Sequence, residues 1–156
     1  MSTRLKKKEE KILQILETLR EESSSGKPIV VEGIKDVEAL RELEVRGLVL
    51  TVKTGGKSYL EVVSKIEKTG GTEVILLLDF DRRGREGTKR LKQLLERTRI
   101  RANTKYWRKL AGQAGRDIQC IESLTVYLRT LHAKIMAWGT ANNAYGQPQI
   151  RTDTEQ

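Results

Sequence analysis

The sequence predicts an α/β protein: a parallel sheet of about four strands covered on both faces by helices. Two observations carry this. Strand-like and helix-like segments alternate from residue 27 to residue 120. The strand-like segments are also continuously apolar, as strands buried on both faces must be, where half-buried strands would alternate. A length of 156 residues suits one domain with room for an appended helix. The lone Cys120 excludes an internal disulfide framework and a multi-cysteine zinc site. No apolar run approaches the ~20 residues needed to span a bilayer, and the charged N-terminus has no apolar stretch behind it. A soluble, cytoplasmic protein that does not engage membranes is expected.

Residues 4–22 predict an amphipathic helix, with Leu5, Ile12, Leu13, Ile15, Leu16 and Leu19 at helical spacing among Lys and Glu. The run Ser23–Pro28 stops it, with Gly26 and Pro28 as breakers. Residues 1–26 therefore form an N-terminal helix and linker, expected to pack on the domain or to meet a protein partner or a second copy. Ile29–Val31 is short and β-branched, which predicts a buried strand ending at Glu32-Gly33. Asp36–Val45 reads as a helix closed by Gly47, Leu48–Val52 as a second strand, and Ser58–Lys68 as a helix between two glycine pairs. Glu73–Leu78 is the strongest strand and runs into Asp79-Phe80-Asp81. Gly84–Thr98 is a basic helix with Leu91, Leu94 and Leu95 inward, and Ile100–Trp107 is expected to be a fourth strand. A last helix covers about 121–138. The main domain then spans 27–138, and the tail 139–156, which lacks apolar periodicity, is expected to be disordered.

The charge is concentrated. Net charge is +9, and the segment Arg82–Lys109 alone holds twelve Lys/Arg against two acids. Such a localised cationic stretch is either a solvated basic helix or the footprint of a polyanion, most simply nucleic acid.

Ligands in open parallel sheets bind beyond the carboxyl ends of the strands. Two predicted strands end there in acids: Glu32 after the first, Asp79 and Asp81 after the third. If those strands are neighbours, three carboxylates converge and raise one another's pKa values unless a cation sits among them. Oxygen donors with no His or Cys nearby select a hard ion, Mg²⁺ with Mn²⁺ as a substitute. Gly84 lets the chain turn tightly into a helix whose N-terminus faces phosphate, and Gly33 lets a phosphate backbone approach. An Asp-x-Asp pair by itself is weak evidence, because strand exits are often acidic.

The string V-V-E-G-I-K-D-V-E-A-L (Val30–Leu40), followed by I-L-L-L-D-F-D-R-R-G-R-E (Ile75–Glu86), resembles the Toprim domain over about residues 27–120. Primases, type IA and type II topoisomerases, several nucleases and the ribonucleases that mature 5S ribosomal RNA share that family. The likeness is greatest to the small stand-alone Toprim proteins of archaea and some bacteria. It implies a compact Toprim α/β fold, with Glu32 as general acid/base or metal ligand and Asp79 and Asp81 as the Mg²⁺ pair. It also aligns Asp36 with a frequent family acid, although capping the next helix explains that residue equally well. Phosphate contacts are expected from Gly33, Lys35, Lys57, Arg82, Arg83, Arg85 and Lys89. With no tyrosine-bearing, zinc-binding or ATPase module in view, the resemblance is to the small RNA-maturing nucleases. The expected function is Mg²⁺-dependent cleavage of structured RNA. The alternative is a non-catalytic nucleic-acid-binding module within an RNA-processing or DNA-repair complex.

Other features are less telling. Thr54–Ser58 ends like a P-loop, but Thr51 stands where its first glycine is needed. Tyr106-Trp107 either stacks a base or anchors the core. His132 and Cys120 are expected to be structural.

Overall fold

The computed structural model describes residues 2–52 and 56–145. The chain runs α1 (Ser2–Ser24), β1 (Ile29–Val31), α2 (Ile34–Glu42), β2 (Val49–Thr51), α3 (Gly56–Lys68), β3 (Glu73–Leu76), α4 (Arg82–Arg97), β4 (Arg101–Asn103), α5 (Lys105–Ala114), a 3₁₀ turn at Ile121–Ser123, and α6 (Leu124–Tyr145). The four strands form one parallel sheet in the order β2-β1-β3-β4. The chain moves outward from β1 to β2 and then returns to β3 on the far side. The order therefore reverses between β1 and β3, where a parallel sheet leaves a crevice beyond its carboxyl ends.

Alternate strand residues divide the interior. Ile29, Val31, Ile75 and Leu77 join Ile12, Leu16 and Leu19 of α1 and the apolar faces of α2, α5 and α6. Val30, Val74, Leu76 and Leu78 pack with α3 and α4 through Val62, Val63, Ile66, Leu91, Leu94 and Leu95. Helix α1 thus shares the core of the sheet. Of its two expected positions, on the domain or on a partner, the first holds: Ile12, Leu16 and Leu19 are buried against its own fold.

Three local expectations are corrected. The fourth strand ends at Asn103, well before Trp107, because the Asn103 Oδ1 accepts the Lys105 N–H at 2.9 Å and turns the chain into α5. Tyr106, Leu110 and Ala114 are then buried at helical spacing. Helix α2 ends before Gly47: Glu44 adopts a left-handed φ of 65°, and the Val45 N–H reaches the Leu40 carbonyl at 2.9 Å, closing the helix with a Schellman motif. Gly47 instead gives room to Ser23, which accepts its N–H at 3.0 Å. Helix α6 continues past Trp138 to Tyr145, since each added residue of an established helix gains a hydrogen bond. The rest of the expected tail, 146–156, lies outside the described residues, as do residues 53–55 and the side chain of Lys57. Among the described residues no helix is long and apolar enough to cross a membrane.

Candidate functional site

The site forms at the exits of β1 and β3. Gly33 follows Glu32 in extended backbone and caps α2, its N–H accepted by Asp36 Oδ2 at 3.1 Å. Nothing lies within 4 Å of where a Cβ on Gly33 would stand, so this backbone borders open space. Asp36 is buried, and its other oxygen accepts the Glu122 N–H at 2.7 Å, clasping α2 to the 3₁₀ turn. It caps its helix as the bland alternative expected, and it also ties in a segment distant in sequence.

The β3 exit is held from three sides. Asp81 caps α4 by accepting the Gly84 N–H at 2.8 Å, and Gly84 packs so close to the Asp79 carbonyl that a Cβ would overlap it. Trp107 donates its indole N–H to the Leu78 carbonyl at 2.9 Å. The Phe80 N–H reaches the Gln119 carbonyl at 2.6 Å. Trp107 therefore positions the strand end and packs beside Phe80, while Tyr106 is core.

The resulting cleft, about 340 Å³, gathers Glu32, Asp36, Asp79, Asp81 and Glu122 with Lys35, Arg83 and Cys120. Burial, then the charges of Glu32, Asp36, Asp81 and Glu122, push the Asp79 pKa up to about 7. Burial also lifts the Glu32 carboxyl above its usual value, with the Asp79 backbone N–H and the Arg83 charge acting in the opposite direction. Such crowding is relieved by a cation, and the donor set fits a divalent one. Asp36, Asp79 and Cys120 each place a ligand atom within 4.8 Å of the others. A Cys does lie nearby, against expectation: the loop after α5 brings the Cys120 sulfur, a softer donor, beside these oxygens.

Of the expected phosphate contacts, Gly33, Lys35 and Arg83 line the cleft. Arg82 instead pairs with Glu86 at 3.3 Å, and Arg85 donates to the Phe80 carbonyl at 3.1 Å. Lys89 is exposed on α4. The basic run does not form one patch, because α4 covers one face of the sheet and α5 the other. Sequence reading passed over Glu122 and expected Cys120 to be structural; the Glu122 N–H clasped to Asp36 brings this segment to the cleft.

The Toprim domain family matches residues 26–104, half of the chain. The chain belongs to the Toprim domain family. This Toprim chain is 38% identical over 120 residues to a UPF0292 protein of Methanocaldococcus jannaschii, covering 76% of this chain and 91% of the relative. It is 30% identical over 122 residues to a UPF0292 protein of Thermococcus kodakarensis, covering 78% and 86%. A solved structure of an Aquifex aeolicus protein superposes with a TM-score of 0.59 at 27% identity, covering 70% of this Toprim chain and 94% of that one. Family membership gives the coarse function, a metal-dependent one connected with nucleic acid. Helices α1 and α6 and the Cys120–Glu122 segment lie outside the matched residues.

Proposed function

We propose that this Toprim chain cleaves phosphodiester bonds in structured RNA with Mg²⁺ as cofactor. The observation that carries the reading is the meeting of Glu32 and Asp79 from neighbouring strands, with the Asp79 pKa at about 7. Asp79 and Asp81 would hold the ion; Asp81 keeps one carboxylate oxygen for it, the other capping α4. When bound, the ion supplies charge neutralisation at the phosphate, which is most of what phosphoryl transfer asks of a protein. Arg83 and Lys35 orient the phosphate from the cleft walls, with the open backbone at Gly33 beside it. Glu32 moves the proton: a carboxyl lifted toward neutrality and fixed at a strand end suits general acid–base work. RNA as the substrate class follows from the resemblance to the small Toprim ribonucleases. One observation favours a non-catalytic nucleic-acid-binding module instead. Asp36 and Asp81 already accept backbone hydrogen bonds within the fold, which narrows the donor set.

The test is incubation of the protein with structured RNAs and single- and double-stranded DNAs in Mg²⁺, Mn²⁺ or EDTA. The expected result is metal-dependent RNA cleavage, abolished in Asp79→Asn/Asp81→Asn. Glu32→Gln should lower turnover by about 10²-fold or more with binding nearly unchanged. Binding without cleavage on every substrate would select the non-catalytic module.

A further inference from the structure

A cavity of about 640 Å³ opens where α1, α5 and α6 meet, away from the acids. Its walls carry Arg4 and Lys8 from α1, Arg116 just past α5, and Lys134 from α6, with Asp117 among them. Asp117 already has partners: Tyr127 donates its hydroxyl to it at 2.8 Å, and the Lys8 ammonium lies 3.8 Å away. Among the described residues Arg4, Arg116 and Lys134 make no ion pair. Four cations against the single Asp117 leave the concavity net positive, and such a concavity concentrates anions.

The cavity neighbours the acid cleft through shared lining residues. Glu122 borders both the cleft and a shallow apolar groove with Ser123, Val126, Tyr127 and Thr130, and Tyr127 and Thr130 line the cation cavity as well. We propose that this cavity is a second phosphate-binding site, holding the backbone of the same nucleic-acid strand that enters the cleft. The inference rests on the cleft reading above. A free phosphate would satisfy the cations but leave the connecting groove without a role. From Leu124 to Lys134, α6 rises about 15 Å. That is roughly four or five nucleotide steps at 3.4 Å each. A strand engaging both sites must therefore be at least that long. All the cavity residues lie outside the segment matched to the family, so the site belongs to the elements added around the shared core.

The full-length chain is titrated against fluorescein-labelled 12-nucleotide single-stranded RNA and DNA in EDTA, read by anisotropy at several salt concentrations. Arg116→Ala/Lys134→Ala is compared with Lys65→Ala/Lys68→Ala on α3, exposed lysines whose loss removes the same charge elsewhere. Losing two phosphate contacts should weaken binding about tenfold to thirtyfold at 0.1 M salt and flatten the log–log salt slope by about 1.4. The α3 control should stay within about threefold of wild type. Equal weakening in the two variants would overturn the inference and leave the cleft reading standing. Inorganic phosphate that stabilises wild type but not the cavity variant, with strand binding equal in both, would make this a free-anion site and also overturn it. Wild type that binds neither strand in EDTA would overturn this inference alone, because the cleft reading requires Mg²⁺ and is decided by the cleavage assay above.

Discussion

Asp79 sits where burial and like charge act on one carboxyl, and the direction of the effect on stability follows. Its folded pKa, about 7, lies above the usual 3.8, so the folded state holds a proton that the unfolded chain has released over that interval. Stability of the metal-free protein should therefore fall as pH rises from about 4 to about 7. Asp79→Asn removes the liability. Because the carboxyl is partly solvated, screening reduces the gain to about 1–2 kcal/mol at pH 8. That is a rise in Tm of roughly 2–6 °C. Melting both proteins in EDTA across pH checks it: the difference should close below pH 4, and one that stays constant with pH would contradict the assignment. At this scale the sequence named Glu32, Asp79 and Asp81, since each follows an apolar strand directly. It could not name Glu122, which no local pattern marks and whose backbone N–H donates to Asp36, 86 residues away, or place the nearby Cys120 in the cleft.

Helix α4 is set against β3 by small residues. Gly84 meets the Asp79 carbonyl, and a Cβ at Gly87 would stand 2.6 Å from the Tyr59 hydroxyl. Gly84 was expected as a turn glycine, but it is not among the positive-φ residues, so close packing is the constraint that requires it. Gly84→Ala should push α4 off the strand end at a cost of about 1–3 kcal/mol. A Tm lower by several degrees, with weaker Mg²⁺ affinity by calorimetry, is the expected outcome, because the displaced carbonyl belongs to Asp79. An unchanged Tm would show that the helix can move without loss. The strands and α4 were legible here because apolar runs and leucines at helical spacing (Leu91, Leu94 and Leu95) are local signals. Helix α5 was not: Ile100–Trp107 reads as a strand with a basic-aromatic exit, whereas Asn103 turns the chain, and that turn depends on one side chain bonding two residues on.

Across the whole molecule, α1 completes one of the two cores. Ile12, Leu16 and Leu19 are fully buried against the sheet. Burying three such side chains is worth on the order of 5–9 kcal/mol, comparable with the 5–15 kcal/mol stability of a typical domain. Deleting residues 1–24 should therefore leave an insoluble or molten chain that binds a hydrophobic dye and lacks near-ultraviolet dichroism. A cooperatively folding truncation would show α1 to be an accessory.

Strand-end acids, buried strands and a basic helix are properties of neighbouring residues, so the sequence by itself determined the parallel α/β fold, the Toprim resemblance and the acid pair after β3. Adjacency is a property of the fold. Only the tertiary structure decided that β1 and β3 lie side by side, which brings Glu32 to Asp79. It likewise divided the basic run between two faces. Outside that run the chain sums to −1, so charge counting hides the cations that α1, α5 and α6 bring together. Charges distant in the chain cancel in a count, but folding brings Arg4, Lys8, Arg116 and Lys134 together against a single acid, Asp117.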